Sequence, residues 1–151
     1  MAQDMTLLWG SGSPPCWRVM IALEEKNLQG YNQKLLSFEK GEHKSQEVLD
    51  MNARGQLPSF KHGDVVLNES YAACFYLELD EGIHLAGLFF TLADVVVFPT
   101  VATLFRFGLS AERYPKLGDY YAVLKHRPSI KASWPPHWLE NPKGQDTLKD
   151  V

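Results

Sequence analysis

Apolar positions in the first part of the chain form one short continuous run and then a helical pattern. The run at 5–9 has the length of a buried strand, and glycines follow it. Two prolines come next, and they suit a first helical turn because they lack an N–H. Apolar residues then recur at helical spacing, at Cys16, Val19, Met20 and Leu23. The pattern predicts a strand and a helix with this face buried, the helix ending at 27–30.

Two further patterns predict additional strands. KLLSF at 34–38 is a short apolar run, and a weak helical rhythm follows it at 46–51. The runs at 57–60 and 65–67 flank His62-Gly63-Asp64, a turn sequence typical of a hairpin.

A helix is predicted from Ser70 to Leu79, with possible inward side chains at Tyr71, Ala72, Phe75 and Leu79. The order of elements through residue 80 is then strand, helix, strand, a weak helix, two strands and a helix. This order predicts a thioredoxin-like α/β fold.

The remaining chain has the patterns of helices. Thr91 and Asp94 have capping-box spacing, and Pro99 would kink the helix that follows them. Apolar spacing over 117–124 predicts another helix, which Arg127-Pro128 would stop. The Pro- and Trp-rich tail from Trp134 is expected to pack as an irregular segment.

Composition and charge narrow the class of protein. The chain has 151 residues, 45% hydrophobic and 22% charged, which is typical of a soluble globular protein. A net charge of -3 argues against nucleic-acid binding, and no uninterrupted apolar run could span a membrane. No secretory leader is recognisable, and two cysteines do not make a disulfide framework, so a cytoplasmic location is expected.

Several motifs resemble one known family. GSGSPPCWRV at 10–19, GEHKS at 41–45, NARGQLPSF at 52–60 and LNESYAACFYL at 67–77 resemble the amino-terminal domain of the glutathione transferases. TLADVVVFP at 91–99 and YPKLGDYYAVLKHRPSIK at 114–131 resemble the helical carboxy-terminal domain. The likeness is to the serine-type classes (theta, delta and zeta), and most of all to the rho class.

The resemblance implies two domains, a thioredoxin-like glutathione-binding domain at 1–80 and a helical domain at 81–151. Residues 80–90 are too few to hold the long helices that the family places between these parts, at 1.5 Å per residue. The chain therefore resembles a family member that lacks the front part of its helical domain.

Ser13 is the candidate catalytic residue. A free thiol has a pKa of about 8.5, and lowering it by two units takes about 2.7 kcal/mol. A donated hydroxyl hydrogen bond supplies about 1.5–3 kcal/mol and a helix N-terminus about 0.3–1 kcal/mol, so no metal or other cofactor is needed beside glutathione as co-substrate. Ser13-Pro14-Pro15-Cys16 also matches the S-x-P-C pattern of the family's catalytic serine.

Ser11 is the second choice for the catalytic serine and a candidate contact for glutathione. The structural alternative is that both serines only shape the turn and cap the helix. Cys16 is a rival nucleophile because a helix N-terminus can activate a thiol. No C-x-x-C motif is present, however, and Cys16 lies on the apolar stripe, so a core position is expected. Arg18 is expected to make structural bonds near the site.

The resemblance also assigns residues to the rest of glutathione. Leu57-Pro58 matches the family's cis-proline, which would turn the Leu57 main chain toward the cysteinyl backbone. Glu69 would take the γ-glutamyl ammonium, and Ser70 at a helix start the carboxylate beside it. The remaining candidates, which would lie near the glycyl end or beside the cis-proline, are His43, Lys44, Gln56 and Arg54.

The resemblance implies a transferase that conjugates glutathione to small hydrophobic electrophiles in xenobiotic detoxification. A homodimer is possible, although the usual dimer helices look absent. One alternative is a glutathione-binding or scaffolding protein that has lost catalysis with its electrophile pocket. Another is a thiol oxidoreductase that uses Cys16.

Overall fold

The structure is a computed structural model that describes residues 2–79, 90–142 and 144–149, with only the backbone described at 78–79. The amino-terminal part is an α/β unit. Its elements are β1 (Met5–Trp9), α1 (Pro14–Glu25), β2 (Asn32–Leu35), α2 (Gln46–Met51), β3 (Ser59–His62), β4 (Val65–Leu67) and α3 (Ser70–Leu79). The strand order is β2-β1-β3-β4, with β1 parallel to β2 and antiparallel to β3, which is antiparallel to β4. The predicted thioredoxin-like arrangement is confirmed.

The carboxy-terminal part is helical. Its elements are α4 (Leu92–Arg106), α5 (Pro115–Leu124), α6 (Pro128–Ala132) and α7 (Pro136–Glu140). The predicted start of α4 is confirmed, because Asp94 accepts a hydrogen bond of 2.8 Å from the Thr91 N–H. The proposed division between residues 80 and 81, and most of the short connector that follows it, lie outside the described residues.

Helix α1 is buried on more than the predicted face. Cys16, Val19 and Leu23 are buried as expected, whereas Met20 is only partly buried. Trp17 and Ile21 are buried as well. The reason is that α3, α4 and α6 all pack against α1 and cover its flanks. One continuous hydrophobic core therefore joins the α/β unit to the helices.

Two details of the strand prediction change. Strand β2 lies at Asn32–Leu35, not at 34–38. The chain turns away soon after the strand ends, and the Ser37 N–H donates a hydrogen bond of 2.7 Å to the Glu42 carboxylate. The ring of Phe38 instead lies against Gly10, where a side chain on the glycine would overlap it.

The predicted inward face of α3 is wrong. Tyr71 and Phe75 are nearly half exposed, and the buried residues are Ala73, Cys74 and Leu77. The helix is apolar on several sides, so its periodicity did not decide which side would face α1. The predicted side chain of Leu79 lies outside the described residues.

The tail was expected to be irregular, but it contains the short helix α7. Trp138 on this helix is 6% exposed, and its ring meets that of Trp17 edge-on at 5.5 Å. The short helix therefore docks on α1, next to the turn that joins β1 to α1.

Candidate functional site

A cleft of about 470 Å³ opens beside the start of α1. It is lined by the residues that end or precede several elements, so the topology brings together segments far apart in sequence. Almost every candidate residue predicted for glutathione lies on this cleft: Ser13, His43, Lys44, Arg54, Gln56, Leu57, Pro58, Glu69 and Ser70. Ser11 is the exception, because it is not among the lining residues.

Ser13 is the N-cap of α1 and leaves the helix start without free backbone donors. Pro14 and Pro15 have no N–H to offer. The N–H groups of Cys16 and Trp17 donate to the hydroxyl and carbonyl oxygens of Ser13, at 3.4 and 3.0 Å. Because the Ser13 hydroxyl accepts from Cys16, its own proton is available for another acceptor. At this helix start, the side chain of Ser13 is therefore the donor that a ligand in the cleft can meet.

Ser11 is turned away from the cleft. Its hydroxyl oxygen lies 2.7 Å from Nδ1 of His137 on α7. The two candidate hydroxyls of the turn thus have different partners, and only that of Ser13 faces the cleft.

Cys16 is a core residue. Its side chain is 1% exposed, and its sulfur accepts a hydrogen bond of 3.4 Å from the Gly10 N–H. Burial raises the pKa of the Cys16 thiol to about 11, and hydrogen bonds from Ser13 and Gly10 only partly oppose this. A neutral, buried thiol does not act as a nucleophile, which speaks against the oxidoreductase alternative.

The peptide bond between Leu57 and Pro58 is cis, as the resemblance implied. Around it, the Gln56 carbonyl accepts hydrogen bonds from Asn52 at 3.0 Å and from Ser59 at 3.1 Å. In the described part of the chain, the main-chain N–H and C=O of Leu57 have no hydrogen-bond partner. They can pair with the backbone of an extended ligand, as one strand pairs with another.

The start of α3 holds an acid, a hydroxyl and two arginines. Glu69 forms an ion pair of 2.5 Å with Arg54, and both side chains are more than half exposed. The Ser70 hydroxyl accepts from Arg18 at 3.3 Å and so keeps its own proton. The first hydrogen bond of the helix runs from the Ala73 N–H to the Glu69 carbonyl at 3.0 Å, so the preceding N–H groups have no acceptor within the helix and can meet an anion.

Arg18 makes structural bonds beside the site, as expected. It donates to the Val96 carbonyl at 3.0 Å and to the Thr100 hydroxyl at 3.3 Å, both on α4. Its guanidinium also lies 4.7 Å from the centre of the Tyr71 ring. Arg18 therefore links the start of α3 to the helical part while lining the cleft.

A turn with basic side chains also lines the cleft. Nζ of Lys44 donates to the Arg54 carbonyl at 2.8 Å. The buried Nδ1 of His43 has no partner among the described residues. Arg18, Lys44 and Arg54 line the cleft against the carboxylate of Glu69, so the charges of the described lining residues are positive in balance although the chain as a whole is negative. Such a cleft suits a ligand with carboxylates.

Sequence reasoning gave no site role to several residues of the cleft, among them Phe38, Asn68 and Tyr71. The apolar patterns predict Phe38 in a strand and Tyr71 in the core. Asn68 and Tyr71 lie within the motif at 67–77, whereas only the tertiary fold brings Phe38 to the cleft. Within the described ranges, no group of three His, Cys, Asp or Glu side chains could hold a metal ion. None of the described helices is long and apolar enough to cross a bilayer.

Comparison with known proteins connects this site to a family. The family described as "Glutathione S-transferase, N-terminal domain" matches residues 3–78. Glutathione S-transferase A of Pleuronectes platessa is 52% identical over 225 aligned positions, covering 100% of both chains. Glutathione S-transferase theta-2 of Homo sapiens is 38% identical over 60 residues, 40% of this chain and 25% of that protein.

Solved structures of glutathione transferases have the same fold as this chain. A glutathione S-transferase from the Antarctic clam Laternula elliptica superposes with a TM-score of 0.87 at 31% identity, covering 97% of this chain and 99% of that one. A Sulfitobacter homologue with bound glutathione has the same fold, with a TM-score of 0.72 at 18% identity over 87% of this chain and 97% of its own. This chain belongs to the glutathione S-transferase family, with the family's glutathione-binding fold and its transferase activity.

Proposed function

We propose that this transferase conjugates glutathione to small hydrophobic electrophiles, with Ser13 stabilising the glutathione thiolate. The observation that carries the proposal is the hydroxyl of Ser13, which lines the cleft at a helix start without free N–H groups and whose proton has the neutral thiol of Cys16 as its competing acceptor. The thiol loses its proton to solvent, and the sulfur then forms a bond to the electrophilic carbon as the leaving group departs.

The electrostatics of the cleft support an ionised sulfur at Ser13. A hydroxyl that donates to a thiolate contributes about 1.5–3 kcal/mol, and the N-terminal end of α1 adds about 0.3–1 kcal/mol. Arg18 brings a positive charge to the same cleft. Cys16 competes weakly for the Ser13 proton because a neutral thiol is a poor acceptor.

The rest of glutathione would lie along the cleft in an extended conformation. The Leu57 main chain would pair with the cysteinyl backbone, with Gln56 beside it. Ser70 and the free N–H groups of α3 would hold the γ-glutamyl carboxylate, and Glu69 its ammonium. His43 and Lys44 would meet the glycyl carboxylate. The positive balance of the cleft and the unpaired Leu57 main chain support this orientation.

We also propose a class within the family, a domain division, a location and an oligomeric state. The S-x-P-C sequence at Ser13 and the likeness to theta-2 support a serine-type enzyme of the theta and delta kind, closest to the rho class. The match to residues 3–78 supports a division into 1–80 and 81–151. A cytoplasmic homodimer would be usual for such an enzyme.

An internal segment is proposed to be missing from the helical part. The alignment with the Pleuronectes enzyme has 225 positions against 151 residues here, so 74 positions, the difference, have no residue of this chain. The end-to-end identity nevertheless favours a transferase over a scaffolding protein that has lost catalysis.

The test is conjugation of a chloronitrobenzene substrate by Ser13→Ala and Ser11→Ala variants. Ser13→Ala should lower kcat/KM by about 10- to 100-fold, since it removes one charge-assisted hydrogen bond. Ser11→Ala should lower kcat/KM by only about three- to tenfold, because its hydroxyl contacts His137 rather than the sulfur. The reverse ranking would assign the sulfur to Ser11 and overturn the role of Ser13.

A further inference from the structure

Helix α7 touches the glycine turn, by which we mean residues 10–13. The Ser11 hydroxyl lies 2.7 Å from Nδ1 of His137. Gly12 has a φ of +75°, and a Cβ at this position would overlap the His137 ring and come within 2.9 Å of its Nε2. His137 therefore contacts both a side chain and the backbone of the turn that presents Ser13.

Helix α7 is held firmly enough to act as a support. Trp138, the next residue, packs edge-on against Trp17 at 5.5 Å and is buried. The Arg106 guanidinium lies 4.8 Å from the centre of the Trp138 ring and donates to the Asn141 carbonyl at 2.6 Å. Packing thus fixes α7 on α1 and leaves the ring of His137 against the glycine turn.

We propose that His137 is a positioning residue of the glutathione site, which binds Ser11 and thereby orients the glycine turn so that the Ser13 hydroxyl faces the sulfur. The inference rests on the proposed function of Ser13. It assigns Ser11 to the support of the turn rather than to contact with glutathione.

The surroundings of His137, burial above all, favour the neutral form of its ring. Burial and the nearby Arg106 lower the pKa of His137 below 6.5, while Glu140 and Glu39 oppose them. The neutral ring and the Ser11 hydroxyl share one hydrogen bond, so removal of either partner should have the same consequence.

The experiment compares His137→Phe, which keeps a ring but loses the hydrogen bond, with His137→Asn, whose amide can replace Nδ1. Three quantities are measured for each variant: the KM for glutathione, the thiol pKa of bound glutathione and the melting temperature. The thiol pKa comes from the pH profile of kcat/KM for the electrophile at saturating glutathione, where the enzyme–glutathione complex is the form that reacts. His137→Phe should raise the KM about three- to tenfold, the scale of one hydrogen bond, and raise the thiol pKa. His137→Asn should restore both values to within about twofold of wild type.

Ser11→Ala and the double variant complete the design. Ser11→Ala should match His137→Phe, and the double variant should be no worse than either single change, since the two residues form one contact. A wild-type KM and thiol pKa in His137→Phe would overturn the inference, whatever its melting temperature. So would equal defects in His137→Phe and His137→Asn.

Ser13→Ala separates this inference from the proposal beneath it. If Ser13→Ala leaves the thiol pKa unchanged, the proposed role of Ser13 is wrong, and the positioning role of His137 is lost with it. If Ser13→Ala raises the thiol pKa and His137→Phe does not, only the positioning role is wrong.

Discussion

Glu25, the last residue of α1, accepts a hydrogen bond of 2.7 Å on each carboxylate oxygen from the guanidinium of Arg127. Arg127 immediately precedes α6, so this bidentate pair joins the α/β unit to the helical part. The Ser129 hydroxyl also donates to Glu25. Burial of Glu25 disfavours its charge, but the hydrogen bonds from Arg127 and Ser129 outweigh burial and lower the pKa of the carboxyl.

We expect Glu25→Gln to lower the free energy of unfolding by about 1 kcal/mol at pH 7, a modest value because the Arg127 side chain is 36% exposed. A carboxyl with a lowered pKa stabilises the fold above its unfolded pKa, near 4.5, and loses this effect as pH falls through the lower folded value. Urea unfolding at pH 7 and in acid should show the difference between wild type and variant shrink in acid. The exposed Lys34–Glu47 pair provides the control, and Glu47→Gln should change the stability by under about 0.5 kcal/mol. Equal effects of the two substitutions would contradict this account.

The Trp17–Ser133 contact supplies a second test of how the two parts are joined. The indole N–H of Trp17 donates to the buried Ser133 hydroxyl at 2.9 Å. Ser133→Ala leaves that N–H without a partner and should cost about 1–3 kcal/mol in chemical unfolding. Ser110→Ala is the matched control, because the Ser110 hydroxyl accepts a hydrogen bond of 3.3 Å from the Arg113 N–H in an exposed contact. If Ser133→Ala is as mild as the control, the buried hydrogen bond does not stabilise the fold.

The thiols should be inert in the native protein. Burial raises the pKa of Cys16 to about 11 and that of Cys74 to about 12, and each is 1% exposed. A disulfide reagent at pH 8 should label neither residue within minutes and should label both after denaturation. Rapid labelling of native Cys16 would restore the thiol oxidoreductase as a candidate function.

Glu69 can be tested with a glutathione analogue that lacks the α-amino group. Wild type should bind glutathione about tenfold more tightly than the analogue, because a charge-assisted hydrogen bond is lost. Glu69→Gln should discriminate much less between the two, as measured by competitive inhibition. Undiminished discrimination in the variant would show that another group takes the ammonium.

The sequence correctly predicted the helix starts that are determined by a few neighbouring residues. The prolines and Ser13 mark the start of α1, and the spacing of Thr91 and Asp94 marks the start of α4. The cis bond at Leu57-Pro58 came from the resemblance, since no local pattern predicts the isomer of a proline. These features depend on a few neighbouring residues.

Features set by packing were missed. Helix α3 is apolar on several sides, so its pattern predicts Phe75 inward, whereas the helix turns Ala73 and Cys74 to the core. The contact of His137 with Ser11 joins residues that are distant in sequence, and no sequence motif predicts it. The same holds for Phe38, which only the turn after β2 brings to the cleft.

The central claim is that the hydroxyl of Ser13 stabilises the thiolate of glutathione. Its most direct test is an ultraviolet titration of the glutathione thiol in the binary complex, for wild type and Ser13→Ala at saturating protein. The account predicts that the thiol of bound glutathione titrates well below its free value of about 8.5 in wild type, and about one to two units higher in Ser13→Ala. The same thiol pKa in both proteins, with glutathione bound in each, would contradict it.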